Sequence, residues 1–235
     1  MKLTNIIVLA TGLFIAGASG AAAQTVDPKV YLDLNIGGQT LSATLATGTT
    51  FSLYGETGGT STSVTVGKGL VFDAGGGYFV RKNLAVGAMV TMFTRSPIGT
   101  VSIAIPDPIA FGSLTTASAS PQLTHTEVGT HLKVAYFLRL HDKLDVAVSA
   151  GPSFVHLSKD IPVATVTNGT AQITVATQTG SAIGGHAGAD LNYRFTQRLG
   201  GGIFARYILA QVDLPAAAGI AVGGFQGGLG LRLAF

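Results

Sequence analysis

The sequence predicts an all-β chain: an antiparallel up-and-down transmembrane barrel, eight strands being the reading and ten the alternative, with long external loops. Three observations point there. The chain is 47% hydrophobic and only 11% charged, with a mean hydropathy of +0.47, where a water-soluble domain carries about 25% charged residues. Past the N-terminus no apolar run approaches the roughly 20 residues of a spanning helix. Period-2 alternation recurs in segment after segment, without a sustained 3.6-residue repeat. An apolar chain without spanning helices can pair all its backbone amides in lipid only by closing a barrel.

The first element is a leader. Lys2 precedes Ile6-Ile7-Val8-Leu9-Ala10 and Leu13-Phe14-Ile15-Ala16, and Ala21-Ala22-Ala23 stands before Gln24. A basic start, a short apolar core and an A-x-A end describe a secretory signal peptide over 1–23, cleaved near Ala23. That leaves 24–235 as the barrel domain. Without Lys2, 13 of the 14 Lys and Arg remain against 11 Asp and Glu. Such a near balance, with no basic face, argues against a nucleic-acid partner. The absence of cysteine excludes disulfides, redox motifs and thiolate metal sites. His131, His141 and His186 fall on separate elements without metal-ligand spacing, so no metal or cofactor is expected.

The strands follow in order. Val30, Leu32, Leu34 and Ile36 alternate with Tyr31, Asp33, Asn35 and Gly37. Leu70, Phe72, Ala74 and Tyr78 oppose Asp73, Gly75 and Gly77, and Leu84, Val86, Ala88, Val90 and Met92 oppose Ala85, Gly87, Met89 and Thr91. Val128, Leu132, Val134, Tyr136 and Leu138 oppose Glu127, Gly129, His131, Lys133 and Ala135. Leu144, Val146, Val148, Ala150 and Phe154 oppose Asp145, Ser149 and Ser153. Ile183, Ala187, Ala189, Leu191, Tyr193 and Phe195 oppose Gly184, His186, Gly188, Asp190, Asn192 and Arg194. Ile203, Ala205, Tyr207 and Leu209 oppose Phe204 and Arg206. Last, Phe225, Leu229, Leu231, Leu233 and Phe235 oppose Gln226, Gly228, Gly230, Arg232 and Ala234. Each apolar set is expected to face lipid and each opposing set the lumen.

Connections alternate in length. Arg81–Asn83, His141–Lys143 and Thr196–Arg198 are tight polar turns, while 95–124, 159–179 and 212–221 are long and read as loops. Short turns belong to the periplasmic side of such barrels and long loops to the outside. Phe51–Tyr54 and Ser63–Val66 form either an external hairpin or, in the ten-stranded alternative, an extra spanning pair. Tyr78, Phe79, Phe93, Tyr136, Phe137, Tyr193, Phe195, Tyr207 and Phe235 lie near strand ends, as interfacial girdles do. Asn168-Gly169-Thr170 matches a glycosylation pattern, although Asn-Gly more simply reads as a turn.

With this architecture and the ending Gly230, Leu233 and Phe235, the chain resembles small bacterial outer-membrane β-barrel proteins, the class of the OmpA transmembrane domain, OmpX and OmpW. The resemblance implies residence in the outer membrane of a Gram-negative cell envelope, with lipid and the barrel-assembly machinery as partners. It also implies that Gly230, Leu233 and Phe235 form the assembly signal, with Gly228 departing from the usual polar residue.

The lumen-facing set holds the candidate chemistry: Asp33, Asp73, Glu127, Asp145 and Asp190 with Lys133, Arg194, Arg206, Arg232, His131 and His186. Charges in a narrow interior must pair, and eight strands leave room for little beyond side chains. A salt-bridged, largely filled lumen is therefore expected, with a structural or loop-mediated interaction role and no enzymatic activity. A selective, porin-like passage through the lumen is the competing expectation. The OmpW likeness implies a further one, a narrow or lateral conduit for small hydrophobic solutes served by apolar loop residues such as Ile105-Pro106-Asp107-Pro108-Ile109. A distant one comes from Phe154-Val155-His156-Leu157-Ser158, whose His-x-Ser resembles the lipid A deacylase PagL and would imply a His156-activated Ser158. Lys159 departs from that family's Asn.

Overall fold

A computed structural model describes residues 28–40, 43–167 and 170–235. The expected leader 1–23, and Asn168 and Gly169 of the glycosylation pattern, lie outside them. The described residues form twelve strands: β1 (Val30–Gln39), β2 (Ala43–Leu53), β3 (Glu56–Val66), β4 (Gly69–Arg81), β5 (Leu84–Arg95), β6 (Gly99–Pro106), β7 (Leu114–Ala119), β8 (His125–His141), β9 (Leu144–Thr167), β10 (Thr170–Arg194), β11 (Leu199–Leu214) and β12 (Ala217–Ala234).

Eight of them close a barrel in the order β1-β12-β11-β10-β9-β8-β5-β4, antiparallel throughout. Closure is made by β1, which pairs with β4 from Val30↔Tyr78 to Gln39↔Gly69 and with β12 from Tyr31↔Ala234 to Gln39↔Gln226. These are the eight segments expected from alternation. Residues 43–66 add no stave. They form the hairpin β2–β3, part of a second sheet ordered β2-β3-β6-β7.

Parity sets the two faces of the barrel wall. Leu34, Ile36, Leu70, Phe72, Leu132, Ile203, Tyr207, Leu229 and Leu231 are all exposed, within an apolar belt far larger than a soluble monomer tolerates. This is a surface for hydrocarbon. Tyr78, Tyr136, Tyr193, Phe195, Tyr207 and Phe235 sit on it. Three aromatics expected in the girdle do not. Phe79 and Phe137 pack with Tyr31, with ring centroids 4.8 Å apart for the Phe pair, and Phe93 is buried beside Val66 and Val71. Each carries the lumen parity of its strand, which outweighs its position at a strand end.

The segments read as loops are mostly strand. The 95–124 stretch holds β6 and β7, residues 159–167 and 170–179 are the shared extension of β9 and β10, and 212–221 is the top of the β11–β12 hairpin. Their Thr, Val and Ile content is β-forming once a partner strand exists, and the β9–β10 ladder supplies one up to Thr167↔Thr170. At about 3.3 Å per residue, β10 with its 25 residues is ~80 Å long, where crossing a bilayer takes about 10 residues. The second sheet packs on this extension: Val101, Ile103 and Ile105 of β6 meet Phe51 and Leu53 of β2 and Ala164, Val166, Ala171 and Ile173 of the ribbon.

Candidate functional site

The lumen is filled in layers. At the tight-turn end, Asp33 on β1 lies opposite Arg232 on β12 in register. Arg232 Nε donates to Asp33 Oδ1 at 2.7 Å, and Lys133 Nζ on β8 donates to Asp33 Oδ2 at 3.1 Å. Arg232 also reaches Asp145 at 3.5 Å and Asp190 at 3.8 Å, while Arg194 stands 3.8 Å from Asp145 and donates to the Asp142 carbonyl. Both Lys133 and Arg232 sit about one ring's reach, 5.1 Å, from the centre of Tyr31, a contact that cations and aromatic faces favour.

The middle layer begins with Arg206, which binds Asp73 and touches Met89 and, at 4.5 Å, the Phe204 ring. Asn35 Nδ2 donates to the other Asp73 oxygen at 2.5 Å. Beside them His131 and His186, both expected in the lumen but on separate elements, are brought together. Their strands both neighbour β9, so each ring bonds Ser153 Oγ through Nδ1, at 2.7 Å and 3.0 Å. His131 Nε2 also meets Thr91 Oγ1 at 3.0 Å. That bridge passes over Gly129, where a Cβ would overlap both groups. Inward glycines make room for neighbouring side chains: Gly77 admits Tyr31, Gly188 admits Arg206 and Gly230 admits Asn35. Among the described residues, no group of three or more His, Asp or Glu is placed to hold a metal.

The upper layer centres on Glu127. It accepts from His125 Nε2 at 2.7 Å, Gln39 Nε2 at 3.1 Å and the Gly223 amide at 3.0 Å, and Gln226 braces Gln39 at 2.7 Å. Gly223 and Gly224 have φ of 88° and 92°, a left-handed geometry that Gly supplies without strain. Between this layer and the histidines lies a cavity of about 10 Å³, room for one water at most. Above it the interior is apolar apart from the buried Lys159: Val155, Leu157, Ile161, Ile208, Val212, Ile220 and Val222 close the mouth, with Leu45 of β2 packed on top.

All eleven residues singled out for the lumen face it. Sequence reasoning missed Tyr31, Gln39, His125, Ser153, Lys159 and Gln226 as partners. Lys159 is buried directly opposite His125, and with it five carboxylates face five permanent cations. Extending the alternation of β8 by two residues would have found His125; Lys159 was hidden by reading 159–179 as loop. On the outer wall, His156 Nδ1 bonds Ser181 Oγ at 2.9 Å, and among the described residues no hydrogen bond joins His156 to Ser158. Gly230 lies on the lumen side of β12, and Leu233 and Phe235 are exposed on the belt.

No protein-family model and no curated protein sequence matches the chain. Solved structures do. The chain is similar to the outer membrane protease OmpT of Escherichia coli, at 10% identity and TM-score 0.46 over 93% of this chain and 100% of that one. OprG of Pseudomonas aeruginosa matches at 10% identity and TM-score 0.42, over 89% and 97% of the two chains. Neisserial surface protein A matches at 14% and 0.41, over 88% and 97%. The chain resembles small bacterial outer-membrane β-barrel proteins. Its fold stands on the strand pairing itself.

Proposed function

We propose that the protein is an integral outer-membrane barrel of the cell envelope that serves as a closed anchor, with the second sheet as its working surface for contacts outside the cell. The observation that carries this is the filled lumen. Its carboxylates are held by ion pairs and hydrogen bonds around Asp33, Asp73 and Glu127, the cavity between the Glu127 layer and the histidines holds about 10 Å³, and apolar side chains line its far mouth. Tight turns at one end and long hairpins at the other support periplasmic turns and an external sheet. On this reading Gly230, Leu233 and Phe235 serve the assembly machinery. Planar-bilayer recording tests the proposal: the barrel is expected to give no stable conductance, and a large steady one overturns it.

A second reading takes the exposed Ile98, Ile109, Phe111 and Leu114 as a capture surface for small hydrophobic solutes. The apolar plug blocks an axial route, so such a solute would leave sideways into lipid. Deleting Pro106–Phe111 then lowers uptake of a hydrophobic solute; unchanged uptake removes this reading.

A further inference from the structure

The second sheet has a free edge. In the order β2-β3-β6-β7, β2 pairs only with β3, from Ala43↔Val66 to Leu53↔Glu56. The two-residue turn Tyr54-Gly55, with φ of 55° and 79°, is of the primed hairpin kind. Such a turn makes Leu53 and Glu56 a hydrogen-bonded pair, and bonded pairs alternate along an antiparallel ladder. The N–H and C=O groups of Leu45, Thr47, Thr49, Phe51 and Leu53 are therefore spent on β3. Those of Ala46, Gly48, Thr50 and Ser52 point away from it. Among the described residues no backbone hydrogen bond outside the β3 ladder reaches them.

Natural sheets protect such an edge with charge, proline, a bulge or brevity. β2 has none of these. It runs 11 residues as ATLATGTTFSL, uncharged and without proline, and its register with β3 is unbroken. The opposite edge, β7, is only six residues long. Around β2 charge is also sparse. Over 43–66 and 99–119 the charged residues are Glu56 and Asp107. Glu56 accepts from the Gly112 amide at 2.6 Å, and Asp107 accepts from the Ile109 and Ala110 amides at 2.8 and 3.0 Å. A β2 edge thus meets an identical edge with no like charges opposed.

We infer that the occupant of this edge is β2 of a second copy, joined antiparallel to make one continuous sheet of eight strands. β2 leaves the barrel rim at the end of β1, and the turn at Tyr54-Gly55 caps its outer end. Antiparallel partners therefore carry their barrels on opposite sides of the joint. The pairing connects two apposed membranes and makes the protein a homotypic adhesin. This rests on the second sheet being the working surface, and a non-conducting protein that fails to join fails here alone.

The test uses the full chain in phosphatidylcholine vesicles. Wild-type vesicles cluster. Thr50→Pro removes an N–H that β3 does not use, on a side chain exposed to solvent, and edge strands tolerate proline there. Its vesicles stay dispersed while its unfolding midpoint is unchanged; Thr50→Lys, which keeps the amide but charges the edge, gives the same loss. The chain has no cysteine, so single variants Ala46→Cys, Gly48→Cys, Thr50→Cys and Ser52→Cys report the geometry with a short thiol cross-linker. Antiparallel pairing links positions whose numbers share one fixed sum. Dispersed wild-type vesicles, clustering by Thr50→Pro, or cross-links of every position to itself, which mark parallel pairing within one membrane, each overturn the inference.

Discussion

Asp33 and Arg232 face each other across the seam between β1 and β12, and the guanidinium donates to the carboxylate at 2.7 Å. Asp33 also holds Lys133, so one carboxylate ties the first stave, the last and β8. Removing one partner of a buried pair costs about 3–5 kcal/mol. Asp33→Asn is expected to lose stability on that scale in urea unfolding from vesicles. Lys133→Met leaves Asp33 its bond to Arg232 and should lose less, while Arg232→Met also strips Asp145 and Asp190 of their contacts at 3.5 and 3.8 Å and should lose more than Lys133→Met. Equal losses for the two cation variants would mean that the longer contacts of Arg232 contribute nothing.

Ser153 is the only atom bridge between His131 and His186 among the described hydrogen bonds. Ser153→Ala strands an Nδ1 on each ring in a buried layer. An unsatisfied buried group costs about 1–3 kcal/mol, and Ser153→Ala should show a loss in that range by the same unfolding assay. Ser153→Thr, which keeps the hydroxyl, should recover much of it.

Above the belt, Asp160 accepts from Thr177 Oγ1 at 2.6 Å and from the Thr124 amide at 2.9 Å. Burial pushes its carboxyl up, but these bonds outweigh burial and hold it below the usual carboxylate range. The folded value being depressed, the stabilisation is fully present above the unfolded pKa of about 3.9 and is lost as pH falls through the folded one. Hydrogen-exchange protection of the Thr124 amide should therefore fall on acidification below about pH 4. In Asp160→Asn that step should vanish.

Phe235 closes the seam by its backbone: its N–H donates to the Val30 carbonyl at 2.8 Å, and its carbonyl accepts from Lys29 and Val30. Phe235→Ala preserves these bonds and removes only the ring. If the ring belongs to an assembly signal, Phe235→Ala lowers the fraction of folded barrel in cells nearly as far as deleting the residue. Normal assembly of Phe235→Ala would assign Phe235 to seam closure alone.

Alternation made the staves and the inward charges legible, because a period of two fixes which face Asp33 or Arg206 takes. It could not give register, so nothing in the sequence said that Asp33 meets Arg232 or that Ser153 lies between two histidines. Those meetings depend on stagger between strands far apart in the chain. His125 and Lys159 escaped because they stand where the alternation was cut short. The second sheet was illegible for a different reason: β3 pairs with β6 across two intervening staves, and its Thr- and Ser-rich strands are composed like loops until a partner is found.

The β9–β10 ribbon joins the second sheet to the wall without a break in register from Leu144↔Tyr193 to Thr167↔Thr170. Tension along that ribbon would be shared by its two covalent strands, which the cross-strand bonds hold together as one stiff unit. The β2–β3 hairpin is instead the outermost pair of its sheet, and tension on β2 can unzip it one bond at a time. Mechanically the ribbon is a mast and the hairpin a fuse: an overloaded joint would part at β2 while the barrel stayed shut.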